Sequence, residues 1–145
     1  MSLKQKILDS AKLALSSKSA FPLYIPKVDT IVDHGFKFVI HYYDSKLHEY
    51  LNVLPTERKD NPLLPPFDQN LHVCDLTKGA NHHLLINKFM QCEGHIVLSS
   101  IGKDEKQGSE LDMQDFNAFE QIFQAFKNEG MLYYNSGLNS GCSQL

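Results

Sequence analysis

The chain has no basic excess. Fourteen Lys and Arg face 17 Asp and Glu, for a formal net charge of −3 and a pI near 6.1. Phosphate-backbone binders usually carry a basic face, so nucleic acid is not the expected partner. A free nucleotide needs only a few local donors and stays allowed. Cysteine pairing is also missing. Cys74, Cys92 and Cys142 are odd in number and form no CxxC, which excludes a disulfide framework. Free thiols point to a reducing compartment, so the cytoplasm is expected. The N-terminus "MSLKQKILDSAKLALSS" has no uninterrupted apolar core and makes a poor signal peptide. No stretch approaches the roughly 20 apolar residues of a membrane span. Internal repeats and low-complexity tracts are absent too. What is left is ordinary: 145 residues, 42% hydrophobic and 21% charged, read as one soluble globular domain with a buried core.

Periodicity places the elements. Residues 2–15 read as a helix, with Ser2 as N-cap and Leu3, Ile7, Ala11 and Ala14 or Leu15 at helical spacing. From Val28 the period becomes two. Val28, Thr30 and Val32 alternate, Asp33-His34-Gly35 offers turn chemistry, and Phe36, Phe38, Ile40 and Tyr42 alternate again, which predicts a hairpin. Residues 44–70 carry four prolines and read as a surface connector, with "LLPPF" docked on the core. "HHLLINKFM" (82–90) and "HIVLSS" (95–100) predict a second antiparallel hairpin. "LDMQDFNAFEQIFQAFKNEG" is the clearest helix. Asp112 can cap it, Asp115 suits the dipole, and Phe116, Phe119, Ile122, Phe123 and Phe126 share one face. Lys127 falls in the last turn and Gly130 is the expected C′ residue. "MLYY" (131–134) reads as a strand packed under that helix.

Three groups of residues could carry chemistry. Asn87 and Lys88 interrupt an apolar strand, where they point to opposite faces unless a bulge or strand end intervenes. Either they are solvated polar positions on an edge strand, or they border a site where amide and ammonium meet an anion. The second group closes the sequence: Asn135, Ser136, Gly137, Asn139, Ser140, Gly141, Ser143 and Gln144 within ten positions. Glycine lets successive N–H groups point into one concavity, and Ser and Asn add donors, which suits phosphate. A flexible tail has the same composition. No GK[ST] follows, so a Walker P-loop is excluded. Seven histidines form the third group, at 34, 41, 48, 72, 82, 83 and 95. No HxH or HxxxH spacing offers a ligand set, and His82 and His83 face opposite sides of a strand, so no metal ligands are assigned. They read as surface or satisfied core histidines. Cys142 has no identifiable His and acid partners for a nucleophile's role.

"NPLLPPFDQNLHVCDL", "HHLLINKFMQCEGHIVLSS" and "YYNSGLNSGCSQ" resemble, in order and spacing, the N-terminal half of ATP adenylyltransferases. These are also called diadenosine tetraphosphate phosphorylases, in the galactose-1-phosphate uridylyltransferase branch of the histidine-triad superfamily. "LLINKF" matches the family's LLxNKF strand. "GHIVLSS" resembles xHxLLVT, with Glu93 where the family usually has Pro, and "ELDMQDF" resembles LTPxDF. "YYNSGxxSGxSQ" is the most specific match. The "NKF" and "NSGxxSGxSQ" spellings fit the phosphorylases better than the sugar-1-phosphate uridylyltransferases. The resemblance implies an α+β fold: a histidine-triad-like antiparallel sheet with one main helix, incomplete at the C-terminus, residues 1–145 forming the N-terminal portion of the domain.

The implied activity is phosphorolysis of diadenosine tetraphosphate to ATP and ADP through a covalent His-AMP. The implied binding residues are Asn87, Lys88, Asn135 and the turn Gly141, Cys142, Ser143 and Gln144, which would hold nucleotide, ribose and phosphate. The implied partners are adenine nucleotides and phosphate, with a divalent cation such as magnesium. A lysine the family uses falls near Tyr50 here, and Lys46 is not aligned, so that role is not carried over. The family's His-x-His-x-Gln tract, whose second His is the nucleophile, would lie beyond Leu145, so no catalytic residue is assigned. The 145 residues alone are expected to be inactive and to leave a pairing edge exposed, which predicts self-association or a complementing C-terminal half. Two alternatives are one half of a split enzyme and a non-catalytic adenine-nucleotide-binding module.

Overall fold

The structure, a computed structural model, describes residues 1–23, 27–42, 63–102 and 109–136. It is α+β, as expected, and the described residues hold two helices, of 14 and 13 residues. The order is α1 (Leu3–Ser16), β1 (Phe21–Pro22), β2 (Lys27–Asp33), β3 (Phe36–Tyr42), β4 (His72–Leu76), β5 (His82–Ile86), β6 (Phe89–Met90), β7 (Ile96–Ser100) and α2 (Met113–Ala125).

Strand β5 lies between β4 and β7, antiparallel to both, and all five of its residues are buried. Both helices cover one face of this sheet. Ile7, Ala11 and Ala14 from α1 meet Leu76, Leu84 and Ile86 from the sheet and Ala118 and Ile122 from α2. Leu84 and Ile86 are two apart, so their side chains share that face. Among the described residues neither β4 nor β7 has a second strand neighbour.

Helix starts follow the sequence closely. The Ser2 hydroxyl accepts the Gln5 N–H at 3.2 Å. Asp112 and Asp115 form a reciprocal capping box: Asp112 Oδ1 accepts from the backbone of Gln114 and Asp115, while Asp115 Oδ2 accepts the Asp112 N–H. The end of α2 differs from expectation. The helix stops at Ala125, and Lys127 (φ 56°), not Gly130, takes the left-handed C′ position. Lys127 N–H donates to the Gln124 carbonyl and Asn128 N–H to that of Phe123, the pair of bonds that closes a Schellman motif. The phenylalanine face is also narrower than its spacing suggests. Ala118 and Ile122 are buried, whereas Phe116 is 52% exposed and meets Phe119 edge-on. Among the described residues, the part of this helix that joins the core is Ala118 and Ile122, with Phe126 packed beside them.

The first hairpin forms as read. Asp33 faces Phe36 across a two-residue turn in which His34 and Gly35 both have positive φ, 47° and 83°. It stands as its own ribbon and exposes Ile31, Val32, Phe36, Phe38 and Val39. The second hairpin is shorter than read. Strand β5 ends at Ile86, and Phe89–Met90 pairs instead with Phe21–Pro22 in a two-residue parallel bridge. Of the "LLPPF" connector, Phe67 is half-buried on the sheet's outer face and the Leu63 carbonyl accepts the Ser99 hydroxyl at 2.7 Å. "MLYY" is no strand: residues 131–136 make no ladder, and Met131 is 81% exposed. Among the described residues, two tyrosine hydroxyls tie that segment down, Tyr133 at His95 and Tyr134 at the Ser109 carbonyl.

Candidate functional site

The strand end at Ile86 decides how Asn87 and Lys88 are presented. Asn87 N–H still donates to the His95 carbonyl at 2.9 Å, but its side chain turns back, and Oδ1 accepts the Phe89 N–H at 2.8 Å. This is an Asx-type closure, and it turns the Asn87 amide nitrogen toward His95. That nitrogen lies 3.3 Å from His95 Nε2. The Lys88 carbonyl accepts the Phe21 N–H at 2.8 Å, so its backbone is pinned by the β1–β6 bridge. Its side chain is exposed and makes no ion pair among the described residues. A pinned backbone beneath a free ammonium suits a lysine that meets an anionic ligand.

His95 links this corner to the C-terminal segment. Its Nδ1 takes the Gln91 N–H at 3.2 Å, and its Nε2 is 3.2 Å from the Tyr133 hydroxyl. Burial lowers the His95 pKa from its ordinary 6.5, partly offset by the Phe89 carbonyl, so the ring is neutral at pH 7. With Nδ1 accepting, the neutral ring carries its proton on Nε2 and donates it to the Tyr133 oxygen, so the Asn87 amide nitrogen beside Nε2 is a close neighbour and not its hydrogen-bond partner. The Tyr134 hydroxyl donates to the Ser109 carbonyl at 2.7 Å. Two tyrosine tethers therefore set the path that leads to Asn135, which is half-buried.

The structure thus brings Asn87 and the segment approaching Asn135 to one corner, with His95 between them. Gly141, Cys142, Ser143 and Gln144 lie outside the described residues, as do Tyr50 and Lys46. Sequence reading grouped His95 with surface or core histidines. Its strand-start position opposite Asn87, after a tight Cys92–Gly94 turn, was the available signal. Cys74 and Cys92 are free, and burial raises the Cys74 thiol pKa, which suits an inert side chain.

The other histidines divide by face. His82 is on the helix side, where Nε2 lies 2.8 Å from Asp115 Oδ1. Its buried Nδ1 has no hydrogen-bond partner, so the reading as a satisfied core histidine holds for one nitrogen only. His83 is on the outer side, 2.7 Å from Asp75 Oδ1, and His72 Nε2 reaches the same oxygen at 2.9 Å. The two histidines hold the Asp75 carboxyl below its ordinary 3.8, His83 more than His72. No helix among the described residues is long and apolar enough to cross a membrane.

Comparison with known proteins concerns the chain as a whole. A family model described as the Ap4A phosphorylase N-terminal domain matches residues 1–145. Among solved structures, yeast Ap4A phosphorylase Apa2 in complex with AMP superimposes with a TM-score of 0.68 at 22% identity, over 88% of this chain and 40% of that one. That likeness shows a shared fold, and the chain spans well under half the length of its structural relative. No curated protein matches. With the family match extending over every residue, the chain belongs to the Ap4A phosphorylase N-terminal domain family.

Proposed function

We propose that these residues form the nucleotide-gripping part of a diadenosine tetraphosphate phosphorylase, a nucleotidyltransferase that yields ATP and ADP. The observation that carries the reading is the Asn87–His95–Tyr133 contact, which sets the "NKF" corner beside the segment leading into "NSG". Asn87 offers amide donors, Lys88 a positive charge, and Asn135 a further amide. The turn Gly141-Cys142-Ser143-Gln144 would supply N–H and hydroxyl donors to phosphate oxygens. Preorganised donors and a lysine are what phosphoryl and nucleotidyl transfer ask of a protein, since charge on the non-bridging oxygens must be neutralised. The AMP bound by yeast Apa2 is consistent with adenine nucleotides as ligands.

The nucleophilic histidine is proposed to come from residues outside these 145, on a further segment or a complementing polypeptide. The 145-residue chain would then bind nucleotide without transferring adenylyl groups. Magnesium finds no oxygen cage among the described residues. Among the described residues the one close group of ligating side chains is His72, Asp75 and His83, whose two imidazoles do not suit it. Magnesium is proposed to ride on the nucleotide phosphates.

Titration calorimetry with ATP tests the reading. Binding is expected, weakened about tenfold or more by Lys88→Ala through loss of a charge-assisted contact. Diadenosine tetraphosphate with phosphate should not be turned over by the pure chain. Absent binding, or binding indifferent to Lys88→Ala, would overturn the grip. Turnover by the pure chain would overturn the missing nucleophile.

A further inference from the structure

We propose that His72, Asp75 and His83 form a binding site for a transition-metal dication of the zinc type, on the sheet face away from the helices. Three ligand atoms, one from each residue, lie within 4.8 Å of one another. The convergence is built by the backbone. In a regular strand His72 and Asp75, three apart, would face opposite sides. A bulge shifts the β4–β5 register between His72 and Cys74 and turns His72 onto the face of Asp75. Asp75 is the direct cross-strand partner of His83. Bulge and register together aim two imidazoles at one point from two strands.

Both rings address the same oxygen, Asp75 Oδ1, although the carboxylate has a second one. Three donor atoms crowded onto one locus is the arrangement a cation organises. The ring planes are fixed from outside the trio. Phe67 stacks on His72 with centroids 5.4 Å apart and meets the His83 ring edge-on at 4.6 Å. Burial is graded: the His83 side chain is 11% exposed, those of His72 and Asp75 34% and 43%. One ligand is anchored and two face solvent, which leaves room for a water or an external ligand in a remaining position.

The donor set selects the ion. Two neutral imidazoles and one carboxylate suit zinc, cobalt or nickel, whereas magnesium and calcium prefer all-oxygen shells. With metal–nitrogen and metal–oxygen bonds of about 2.0–2.2 Å, tetrahedral ligand atoms stand about 3.3 Å apart. The nitrogen–oxygen contacts of 2.7 and 2.9 Å would open by about half an ångström, and the two histidine nitrogens, within 4.8 Å of each other, would settle to a similar spacing. On binding, each N–H···O bond to Asp75 is replaced by a metal–nitrogen bond. Each ring stays neutral by holding its proton on its other nitrogen. Asp75, held ionised by its two histidines, supplies the negative charge.

Cobalt(II) titration of the metal-free 145-residue chain tests the site, with zinc as competitor. One ion per chain is expected, with visible d–d absorption bleached by zinc and unaffected by millimolar magnesium. Saturating zinc should raise Tm by about 5 °C. His72→Gln, a half-exposed change that leaves the core intact, should weaken cobalt binding at least tenfold and remove most of that Tm rise. Asp75→Asn should do the same, with the unliganded Tm nearly unchanged. Lys88→Ala should leave metal binding untouched, which separates this site from the nucleotide corner. No stoichiometric binding, or equal binding by the His72→Gln and Asp75→Asn chains, would overturn the proposal.

Discussion

The two faces of strand β5 carry adjacent histidines in contrasting company. His82, on the helix face, meets Asp115, whose other oxygen already caps α2, and both side chains are largely buried. His83, on the outer face, meets Asp75, a half-exposed residue shared with His72. The same chemical pair therefore does two jobs. On the buried face it ties a helix start to the sheet, where an unpaired polar atom is costly. On the outer face His83 is also buried, but Asp75 is 43% exposed, so solvent reaches the pair through its carboxylate and screens it. Position relative to the core, not residue type, separates scaffold from site.

Substitutions can break this comparison, in descending order of expected effect. Leu84→Ala on the helix face should cost about 3 kcal/mol in urea unfolding, through lost burial and a cavity. Asp115→Ala should cost about 2 kcal/mol, because it removes the reciprocal half of the capping box and strands the buried His82. The matching change outside, Asp75→Ala, should cost about 0.5 kcal/mol in metal-free buffer. Equal losses for Asp115→Ala and Asp75→Ala would erase the distinction between the faces.

Acid sensitivity is a gentler test. His95 has a lowered pKa when folded, so on acidification the unfolded chain takes up this proton first. Its contribution is complete above pH 6.5 and is lost as pH falls from there toward the folded pKa. Asp75 acts in a more acidic window, its contribution present above 3.8 and lost as pH falls below that. His95→Gln should flatten the first decline and leave the second, as urea midpoints across pH would show. Lys88→Ala should move the stability of the free chain by no more than about 0.5 kcal/mol, since its ammonium is solvated.

Local chemistry was the legible part of this fold. Ser2, Asp112 and Asp115 announce their helix starts because capping needs only neighbours. His34-Gly35 announces its turn because both residues tolerate positive φ. Tertiary context decided the remainder. "HHLLINKFM" reads as one strand, but Asn87 folds its amide onto Phe89 and Phe89–Met90 finds a new partner in Phe21–Pro22. Residues 131–134 have strand propensity yet hang by tyrosine hydroxyls. The candidate corner was legible at Asn87 and Lys88 only as a pattern, polar residues that break an apolar run. His95 was not, because its role depends on Tyr133, 38 residues away. The His72–Asp75–His83 trio was hidden for a different reason. A bulge changes which side chains share a face, and no fixed spacing records a bulge.

The central claim is that the Asn87–Lys88 corner and the segment after Tyr133 grip one adenine nucleotide. Backbone amide NMR of the uniformly labelled chain, titrated with AMP, tests it most directly. The account predicts shift changes concentrated at Asn87, Lys88, His95 and residues 133–136, with the β2–β3 hairpin and α2 unmoved. Shifts centred on the hairpin or on α2, or none at saturating AMP, would contradict it.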